Sequence, residues 1–303
     1  YFIATTKQRR LQGAEIELRT PSVGATKNAM LAAVVADGTS IVRNAAMEPE
    51  VVDLANFLIA MGAKIKGAGS DTLVIRGVNE LHGTEYEIIP DRIVTGTLLL
   101  CGASTRGDVT VTQCAPDHLH ALSLKLQECG AAVTSGDDWI RVDATRITGG
   151  TDILTAPYPG FPTDLQPQMV SFLCTAPGNS IVEESIFNAR FSYVNELARM
   201  GAEVRVSMES NTAVVKGGVP LSGAPVEAPD IRAGAALVVA GLAAQGETEI
   251  IGLEYIDRGY ERLEEMLSAL GGQVQRSSGI TPLVEPTGLF ETSAYPKTRA
   301  RAQ

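Results

Sequence analysis

The sequence MGAKI (Met61–Ile65) recurs three times further along the chain, as CGAAV (Cys129–Val133), MGAEV (Met200–Val204) and LGGQV (Leu270–Val274). The first glycines of these segments, Gly62, Gly130, Gly201 and Gly271, are separated by 68, 71 and 70 residues. A second set of glycines closes runs rich in Ala, Val and Leu and keeps nearly the same period, with steps of 69, 71 and 68, at Gly38, Gly107, Gly178 and Gly246. Two independent markers with one period predict a fold built from four repeats of about 70 residues. Equivalent points of the repeats should meet in space, where a functional site can be assembled.

Each repeat contains two kinds of predicted helix. The first kind is amphipathic, as in Val51–Met61 and Tyr260–Leu270, and ends at a glycine that can adopt the left-handed conformation of a helix cap. The second kind is almost wholly apolar, which predicts burial on all sides, at Ala29–Ala36, Leu98–Gly102, Met169–Leu173 and Ala233–Ala244. Short β-prone segments such as Thr72–Arg76 and Thr212–Lys216 read as hairpin strands. The sequence therefore predicts an α/β fold with buried helices and sheets outside.

Composition and charge narrow the range of partners. The chain has 303 residues and a net charge of −10, which argues against nucleic acid or an anionic membrane as the main partner. The longest apolar run, Ala233–Ala244, is too short to span a bilayer, and no signal peptide is visible, so we expect a cytoplasmic protein. Neither the three histidines nor the four cysteines have metal-ligand spacing, so no metal is expected and the cysteines are predicted to be buried free thiols, namely Cys101, Cys114, Cys129 and Cys174.

The segments that precede the four apolar helices share a proline. They read PSVGAT at Pro21–Thr26, PDRIVT at Pro90–Thr95, PTDLQ at Pro162–Gln166 and PDIRA at Pro229–Ala233. Free N–H groups and the positive end of the helix dipole favour anions at such positions. The simpler alternative is that one polar residue in each segment only caps its helix, at Ser22, Asp91, Asp164 and Asp230.

Arginines add a second signal. Arg92 and Arg232 stand inside two of these segments, where a cap needs no cation; Arg190 precedes a predicted helix, and Arg258 stands at another predicted helix start. A cation beside a helix N-terminus is unfavourable unless an anion or acid shares the site. The pattern favours a polyanionic ligand held by arginines and helix ends, with surface arginines paired to nearby aspartates as the alternative.

Longer stretches around these residues resemble the enolpyruvyl transferases. The similarity extends over about residues 12–275 and favours the branch of the family that acts on UDP-N-acetylglucosamine over the branch that acts on 3-phosphoshikimate. Its matching segments are SVGAT (Ser22–Thr26), EPEVVDLANFL (Glu48–Leu58), MGAKIKGAG (Met61–Gly69), PDRI (Pro90–Ile93), TAPYPGFPTDLQ (Thr155–Gln166), RMGAEV (Arg199–Val204), LSGAPV (Leu221–Val226) and DRGYERLEE (Asp257–Glu265).

The resemblance implies two inside-out α/β barrels, each made of three repeats, with the active site between them. On that template, residues 1–88 are the last repeat of a first, incomplete domain, residues 89–276 are the second domain, and residues 277–303 are a mostly unstructured tail. The family's lysine–asparagine pair and its loop with the catalytic cysteine would lie upstream of Tyr1, and none of the four cysteines present matches that loop. We therefore expect a fragment that is inactive by itself.

The reaction implied by the resemblance is transfer of enolpyruvyl from phosphoenolpyruvate to the 3′-hydroxyl of UDP-N-acetylglucosamine in peptidoglycan precursor synthesis, without a metal ion or organic cofactor. Asp164 is expected to act as general base and, with Ser22, Val23, Gly24 and Ile186, to contact the sugar nucleotide. The phosphoenolpyruvate site is expected to comprise four residues, of which Arg258 is also expected to be catalytic: Arg190, Asp230, Arg232 and Arg258.

Departures from the family pattern leave alternatives open. FNARF stands at Phe187–Phe191 where FENRF is usual, Met47 replaces a common arginine, and Val94 replaces an acid. A non-catalytic homologue that binds a sugar nucleotide is therefore the leading alternative. Transfer to 3-phosphoshikimate is the other, and the segments TAPYPGFPTD and DRGYER disfavour it.

Overall fold

The computed structural model describes residues 10–277 and the backbone of Arg299–Ala302. These residues divide into two compact units: residues 10–90 together with Pro157–Gly160 form the first, and the remainder form the second. The predicted domain limits at residues 88 and 276, with three repeats assigned to the second domain, stay a prediction. The elements nevertheless recur four times in a common order, except that the second set has no strand before its first helix, and we name the four sets repeats A to D.

Repeat A forms the first unit. Its elements are β1 (Glu15–Glu17), α1 (Val23–Ala33), β2 (Thr39–Arg43), α2 (Pro49–Ala60), β3 (Lys64–Lys66) and β4 (Thr72–Arg76). The strands form one sheet in the order β1-β2-β4-β3, in which β1 and β2 are parallel and the other neighbours antiparallel. Pro49 occupies the first turn of α2, where its missing N–H breaks no helical hydrogen bond. Both helices pack on one face of the sheet, around Met30, Val42, Ala55 and Ile75.

Repeats B, C and D form the second unit. Repeat B comprises α3 (Arg92–Ser104), β5 (Asp108–Thr112), a 3-10 turn (Pro116–Leu119), α4 (His120–Glu128), β6 (Ala132–Ser135) and β7 (Trp139–Asp143). Repeat C comprises β8 (Ile153–Leu154), a 3-10 turn (Thr163–Leu165), α5 (Gln166–Thr175), β9 (Gly178–Glu183), a 3-10 turn (Arg190–Tyr193), α6 (Val194–Arg199), β10 (Glu203–Ser207) and β11 (Thr212–Gly217). Repeat D comprises β12 (Pro225–Glu227), α7 (Ile231–Ala243), β13 (Thr248–Ile251), α8 (Leu253–Ile256), α9 (Leu263–Ala269), β14 (Val274–Ser277) and β15 (Arg299–Ala302).

The apolar helices α3, α5 and α7 pack against one another at the centre of the second unit. Small residues let neighbouring segments approach two of these helices closely: a side chain at Gly96 of α3 would collide with Leu165 in the turn before α5, and one at Gly234 of α7 would collide with Ile256 of α8. The Ser171 hydroxyl donates a hydrogen bond of 2.7 Å to the Ala236 carbonyl and so satisfies a polar group between α5 and α7. Each helix is accompanied by its own sheet, in the orders β5-β7-β6, β8-β9-β11-β10 and β12-β13-β15-β14. This arrangement confirms the predicted fold class.

Helix α1 departs from the prediction that the apolar helices are buried on all sides. Met30 and Ala33 are buried against α2 and the sheet, but Leu31 is 46% exposed and Val35 is 40% exposed. Among the described residues of the first unit, α2 is the other helix that packs on this sheet, so within this unit one face of α1 is not covered by a helix.

The glycine markers act as expected with one exception. Gly62, Gly130, Gly201 and Gly271 all have φ between 88° and 99°, which supports the predicted caps. The exception lies in the second set of glycines, those that close the apolar runs. In repeat B the left-handed residue is Arg106, with φ of 58°, and Gly107 takes an ordinary conformation. Arg106 donates from Nη1 to the Ala103 carbonyl at 3.1 Å and from Nη2 to the Thr175 carbonyl, so its guanidinium lies at the negative ends of α3 and α5.

Two expectations near the C-terminus are corrected. Arg299–Ala302 form β15 and pair with both β13 and β14, so these four residues differ from the expected unstructured tail, which otherwise stays a prediction. Residues 278–298 and 303 lie outside the described residues. The predicted helix Tyr260–Leu270 begins only at Leu263, so Arg258 lies in a turn after α8 and not at a helix start.

Candidate functional site

The second unit brings together three of the predicted site residues around one carboxylate. Asp164 lies in the 3-10 turn that leads into α5, and its side chain is 37% exposed. Its Oδ1 accepts a hydrogen bond of 3.0 Å from Arg190 Nη2, and its Oδ2 accepts one of 2.7 Å from Arg232 Nη2. The two arginines are more buried, at 11% and 20% exposed, so the ion pairs are partly shielded from water. We call these three residues the arginine–aspartate cluster.

The capping alternative holds for three of the four residues proposed for it. Ser22 accepts from the Ala25 N–H at 3.3 Å, Asp91 accepts from two amides at the start of α3, and Asp230 accepts from the Arg232 and Ala233 amides at 2.8 and 2.9 Å. Asp164 does not cap either adjoining helical segment with its side chain. Its carboxylate is instead committed to the two arginines, which a simple cap would not require.

Arg190 is supported from two further directions. Its Nε donates to Thr163 Oγ1 at 3.2 Å, and its guanidinium carbon lies 4.2 Å from the centre of the Phe187 ring. A cation over an aromatic face is attracted by the ring quadrupole. The preceding residue, Ala189, has φ of 60°, a left-handed conformation that is uncommon for alanine, where the chain turns into the 3-10 turn that carries Arg190.

Arg232 is held in the first turn of α7. Burial alone would lower the pKa of its guanidinium, but Asp164 and Tyr260 raise it, and the net pKa lies above the ordinary value. Arg232 therefore stays charged beside the positive end of a helix. Two guanidinium groups face the Asp164 carboxylate, and the Asp230 carboxylate caps the adjacent start of α7, so it is the N–H donors of the two arginines, and not a net positive charge, that suit the cluster to an anionic ligand.

A buried polar network lies behind Arg232. The Tyr260 hydroxyl helps to raise the pKa of Arg232 and lies 3.0 Å from Thr97 Oγ1. Thr97 donates its own proton to the Ile93 carbonyl at 2.8 Å, so Tyr260 donates to Thr97 and presents a lone pair to the arginine. Gln168 Nε2 donates to Tyr260 at 3.3 Å and to Thr97 at 3.2 Å. Burial raises the pKa of Tyr260, which keeps it a neutral phenol.

The remaining predicted residues are not part of this cluster. Arg258 is exposed in its turn and makes no hydrogen bond or ion pair with any residue in the described part of the chain. Ile186 is 43% exposed, and its amide donates to Glu184 at 2.9 Å. Ser22, Val23 and Gly24 form the start of α1 in the first unit.

Sequence reasoning did not single out the residues that hold the cluster in place. Thr163 and Tyr260 lay inside the quoted segments TAPYPGFPTDLQ and DRGYERLEE, and Phe187 lay inside FNARF, but periodicity gave no reason to choose them. Glu184 follows a strand with no motif around it. A useful signal was available at Tyr260, because an amphipathic pattern that includes a tyrosine predicts a buried hydroxyl in need of a partner.

The four cysteines are buried and unpaired, as predicted. Burial raises the pKa of Cys101, Cys129 and Cys174 to about 12. A thiol with such a pKa forms little thiolate at neutral pH and is a poor nucleophile. None of the helices in the described ranges is long and apolar enough to cross a membrane.

Comparison with known proteins shows the family to which the chain belongs. The family model described as EPSP synthase (3-phosphoshikimate 1-carboxyvinyltransferase) matches residues 2–267. A UDP-N-acetylglucosamine 1-carboxyvinyltransferase 1 from Carboxydothermus hydrogenoformans is 52% identical over 90% of this chain, and a UDP-N-acetylglucosamine 1-carboxyvinyltransferase 2 from Caldanaerobacter subterraneus subsp. tengcongensis is 53% identical over 91%. The chain belongs to the enolpyruvyl transferase family. It spans 64% and 66% of the lengths of these two relatives.

Solved structures support the family fold. The enolpyruvyl transferase NikO from Streptomyces tendae superposes with a TM-score of 0.77 at 28% identity, covering 87% of this chain and 65% of NikO. An EPSP synthase from Acinetobacter baumannii superposes with a TM-score of 0.67 at 18% identity, covering 86% of this chain and 62% of the other, and shows likeness of fold alone. The resemblance to the enolpyruvyl transferase family that the sequence motifs indicated is thus confirmed.

Proposed function

We propose that this chain serves the transfer of enolpyruvyl from phosphoenolpyruvate to the 3′-hydroxyl of UDP-N-acetylglucosamine, with release of phosphate, in cytoplasmic synthesis of peptidoglycan precursors. The observation that carries the proposal is the arginine–aspartate cluster, in which one carboxylate lies between two largely buried guanidinium groups. The names of the curated relatives, at about half identity, supply the choice of substrates.

The cluster suits an anionic substrate that reacts with a hydroxyl group. Phosphoenolpyruvate carries a carboxylate and a phosphate, and a guanidinium group can bind either through two parallel hydrogen bonds. Arg190 and Arg232 would bind this substrate, and Asp164 would be partly released from them as the anion competes for their N–H groups. Asp230 and Arg258 remain proposed members of the same subsite, although Arg258 would have to move or meet the substrate from its exposed turn.

Asp164 has the chemistry of a general base in this scheme. The carboxylate would take the proton from the sugar 3′-hydroxyl while the oxygen forms a bond to C2 of phosphoenolpyruvate and a separate general acid, which we do not assign to a residue of this chain, gives a proton to the methylene carbon. Loss of a proton from that carbon and departure of phosphate would then restore the double bond in the product. The two guanidinium groups would stabilise the negative charge that develops on the phosphate side.

The second substrate is proposed to contact Ser22, Val23, Gly24 and Ile186. Free amides at the start of α1 are suitable donors for a nucleotide phosphate, and the Ser22 hydroxyl already caps this helix. The exposed side chain of Ile186 offers apolar surface for the sugar.

The test is an assay of the protein expressed from the complete reading frame that contains these residues. We expect phosphate release that requires both phosphoenolpyruvate and UDP-N-acetylglucosamine, and a decrease of ~10²–10⁴-fold in turnover for Asp164→Asn. Asp91→Asn is the matched control, because Asp91 caps α3 and lies outside the cluster. Phosphate release that requires 3-phosphoshikimate in place of UDP-N-acetylglucosamine would mean that 3-phosphoshikimate is the acceptor. Binding of UDP-N-acetylglucosamine without phosphate release would favour a non-catalytic binding protein.

A further inference from the structure

Glu184 is a buried carboxylate with an unusual set of partners. It follows β9, is 2% exposed, and accepts four hydrogen bonds from uncharged donors. Oε1 accepts from the Thr155 hydroxyl at 2.8 Å and from the Ile186 and Phe187 amides at 2.9 Å each, and Oε2 accepts from the Thr163 hydroxyl at 2.9 Å. A buried carboxylate is costly unless its oxygens are satisfied in this way, so its position is fixed by the fold.

Two of these donors support Arg190. Because Thr163 donates its single hydroxyl proton to Glu184, its oxygen is left as an acceptor, and it accepts from Arg190 Nε at 3.2 Å. The Phe187 amide is held by the same carboxylate, and the Phe187 ring lies 4.2 Å from the Arg190 guanidinium carbon. The Glu184 carboxylate therefore does not contact Arg190 itself. It fixes Thr163 and Phe187, and these two residues orient the arginine.

The third donor leads to the other substrate. The Ile186 amide is bound to Glu184 Oε1, and this fixes the backbone from which the exposed Ile186 side chain extends. The loop is also tied at its base, where Asn211 Nδ2 donates to the Glu184 carbonyl at 2.6 Å.

We propose that Glu184 is a positioning residue that couples the two substrate subsites, holding Arg190 for the phosphoenolpyruvate anion through Thr163 and Phe187, and the Ile186 loop for the sugar nucleotide. This inference rests on the proposed function for the identity of the two substrates. The contacts that support the inference do not depend on the proposed function. The Glu184 carboxylate is hydrogen-bonded to Thr163 and Phe187, which contact Arg190, and to the exposed loop at Ile186.

Glu184→Gln tests the proposal because an amide cannot replace the carboxylate. The side chain keeps its shape, but it has one acceptor oxygen and an NH₂ group that faces donors in either orientation. We expect the KM for both substrates to rise about ten-fold or more, the factor that corresponds to losing one hydrogen bond to a charged group. Thr163→Val removes the link to Arg190 and one donor to Glu184 Oε2, but it keeps the bonds from the Ile186 and Phe187 amides to Oε1, so it should raise the KM for phosphoenolpyruvate much more than that for UDP-N-acetylglucosamine.

The double variant shows whether the two residues act through each other. If Glu184 orients Arg190 through Thr163, then Thr163→Val should add little to the phosphoenolpyruvate KM in the Glu184→Gln background. Amide hydrogen exchange at Ile186 and Phe187 should accelerate in Glu184→Gln and not in Thr163→Val. Glu249→Gln is the matched control, since Glu249 is another buried glutamate of the second unit, on β13. It should lower thermal stability without a change in either KM.

The outcomes separate this inference from the proposed function. If the wild-type protein does not transfer enolpyruvyl, the proposed function is wrong. The positioning role of Glu184 is then tested by calorimetry, through the binding of inorganic phosphate. Phosphate bound about ten-fold more weakly by Glu184→Gln and by Thr163→Val would support it. Unchanged phosphate affinity in both variants, or no phosphate binding by the wild-type protein, would overturn it. If Glu184→Gln fails to fold, Thr163→Val alone still tests the link to Arg190, and an unchanged affinity for the anion in this variant would overturn it.

Discussion

Helices α1 and α7 have the same type of sequence and different surroundings. Residues Ala233–Gly241 of α7 are buried throughout, whereas Leu31 of α1 and Val35 just after this helix are exposed. In the second unit, α7 is enclosed by α3, α5 and its own sheet, while α1 is covered from one side by α2 and the sheet. The burial of such a helix therefore depends on the number of repeats packed around it as well as on its own sequence.

The two helices also differ in chemistry at their N-termini. The start of α1 is capped by a neutral serine through one bond of 3.3 Å, and the start of α7 is capped by Asp230 through two bonds and carries Arg232. The same kind of helix N-terminus thus occurs in repeats A and D. Its residues make it neutral at the start of α1 and charged at the start of α7. The burial of these two helices and the charge at their N-termini can be tested separately.

The largest expected effect concerns packing. Leu99 in α3 is fully buried, so Leu99→Ala should destabilise the second unit by ~2–5 kcal/mol through lost contacts and a residual cavity. Leu31→Ala in α1 should change stability by less than ~0.5 kcal/mol, since half of this side chain is already in water. Differential scanning calorimetry of both variants measures the contrast. A large loss at Leu31 in the protein from the complete reading frame would mean that this face of α1 is covered there.

The next effect concerns the charged end of α7. Arg190→Lys and Arg232→Lys should each weaken phosphoenolpyruvate binding, because an ammonium group cannot reproduce a bidentate contact. Both arginines bind Asp164, so their effects should be non-additive by ~0.5–3 kcal/mol in a double-mutant cycle. Arg258 shares no partner with Arg232 among the described residues, and our hypothesis that both bind one anion predicts coupling in a second cycle. Strict additivity of Arg232 and Arg258 would remove Arg258 from the anion site.

Much of the fold could be predicted because its signal is repeated four times. The spacing of Gly62, Gly130, Gly201 and Gly271 gave the repeat, and the strand Thr72–Arg76 was predicted with its observed limits. The exposure of Leu31 could not be predicted, because the sequence of α1 shows which residues are apolar but not how many repeats surround them. The strand Arg299–Ala302 was also missed, because its pairing with β13 spans about fifty residues of sequence.

The site was predictable only in part. The helix-end pattern indicated Asp164, Arg190 and Arg232, and the structure brings these three together. It did not indicate Glu184 or Tyr260, because their importance lies in hydrogen bonds between residues far apart in the chain. Tyr260 and Thr97, for example, are 163 positions apart and 3.0 Å from each other. Long-range polar contacts of this kind leave no periodic mark in a sequence.

A smaller effect is expected from the network behind Arg232. Tyr260→Phe removes one hydroxyl group and keeps the ring, so Arg232 loses a partner while the packing of the core is preserved. We expect binding of phosphoenolpyruvate to weaken by ~0.5–1.5 kcal/mol, with the KM for UDP-N-acetylglucosamine unchanged. Tyr193→Phe is the matched control, because Tyr193 is also fully buried and its hydroxyl donates to Gln166 Oε1 at 3.2 Å. Equal effects of the two variants on substrate binding would reduce Tyr260 to a structural residue.

The smallest expected effect is that of Ser22→Ala, which is best measured beside Asp230→Ala as a direct comparison of the two caps. Asp230→Ala removes an acceptor of two amide hydrogen bonds at the start of α7, and Ser22→Ala removes one long bond at the start of α1. Loss of a cap costs ~0.5–2 kcal/mol, and we expect Asp230→Ala to lie near the upper end of this range and Ser22→Ala near the lower end. The anionic Asp230 also interacts favourably with the helix dipole, which adds ~0.3–1 kcal/mol that the neutral serine does not supply. Thermal unfolding at low and high salt separates these contributions, because salt screens the dipole interaction and leaves the hydrogen bonds largely unchanged. A loss at Asp230 that does not depend on salt would show that α7 uses its aspartate as α1 uses its serine, as a hydrogen-bond acceptor alone.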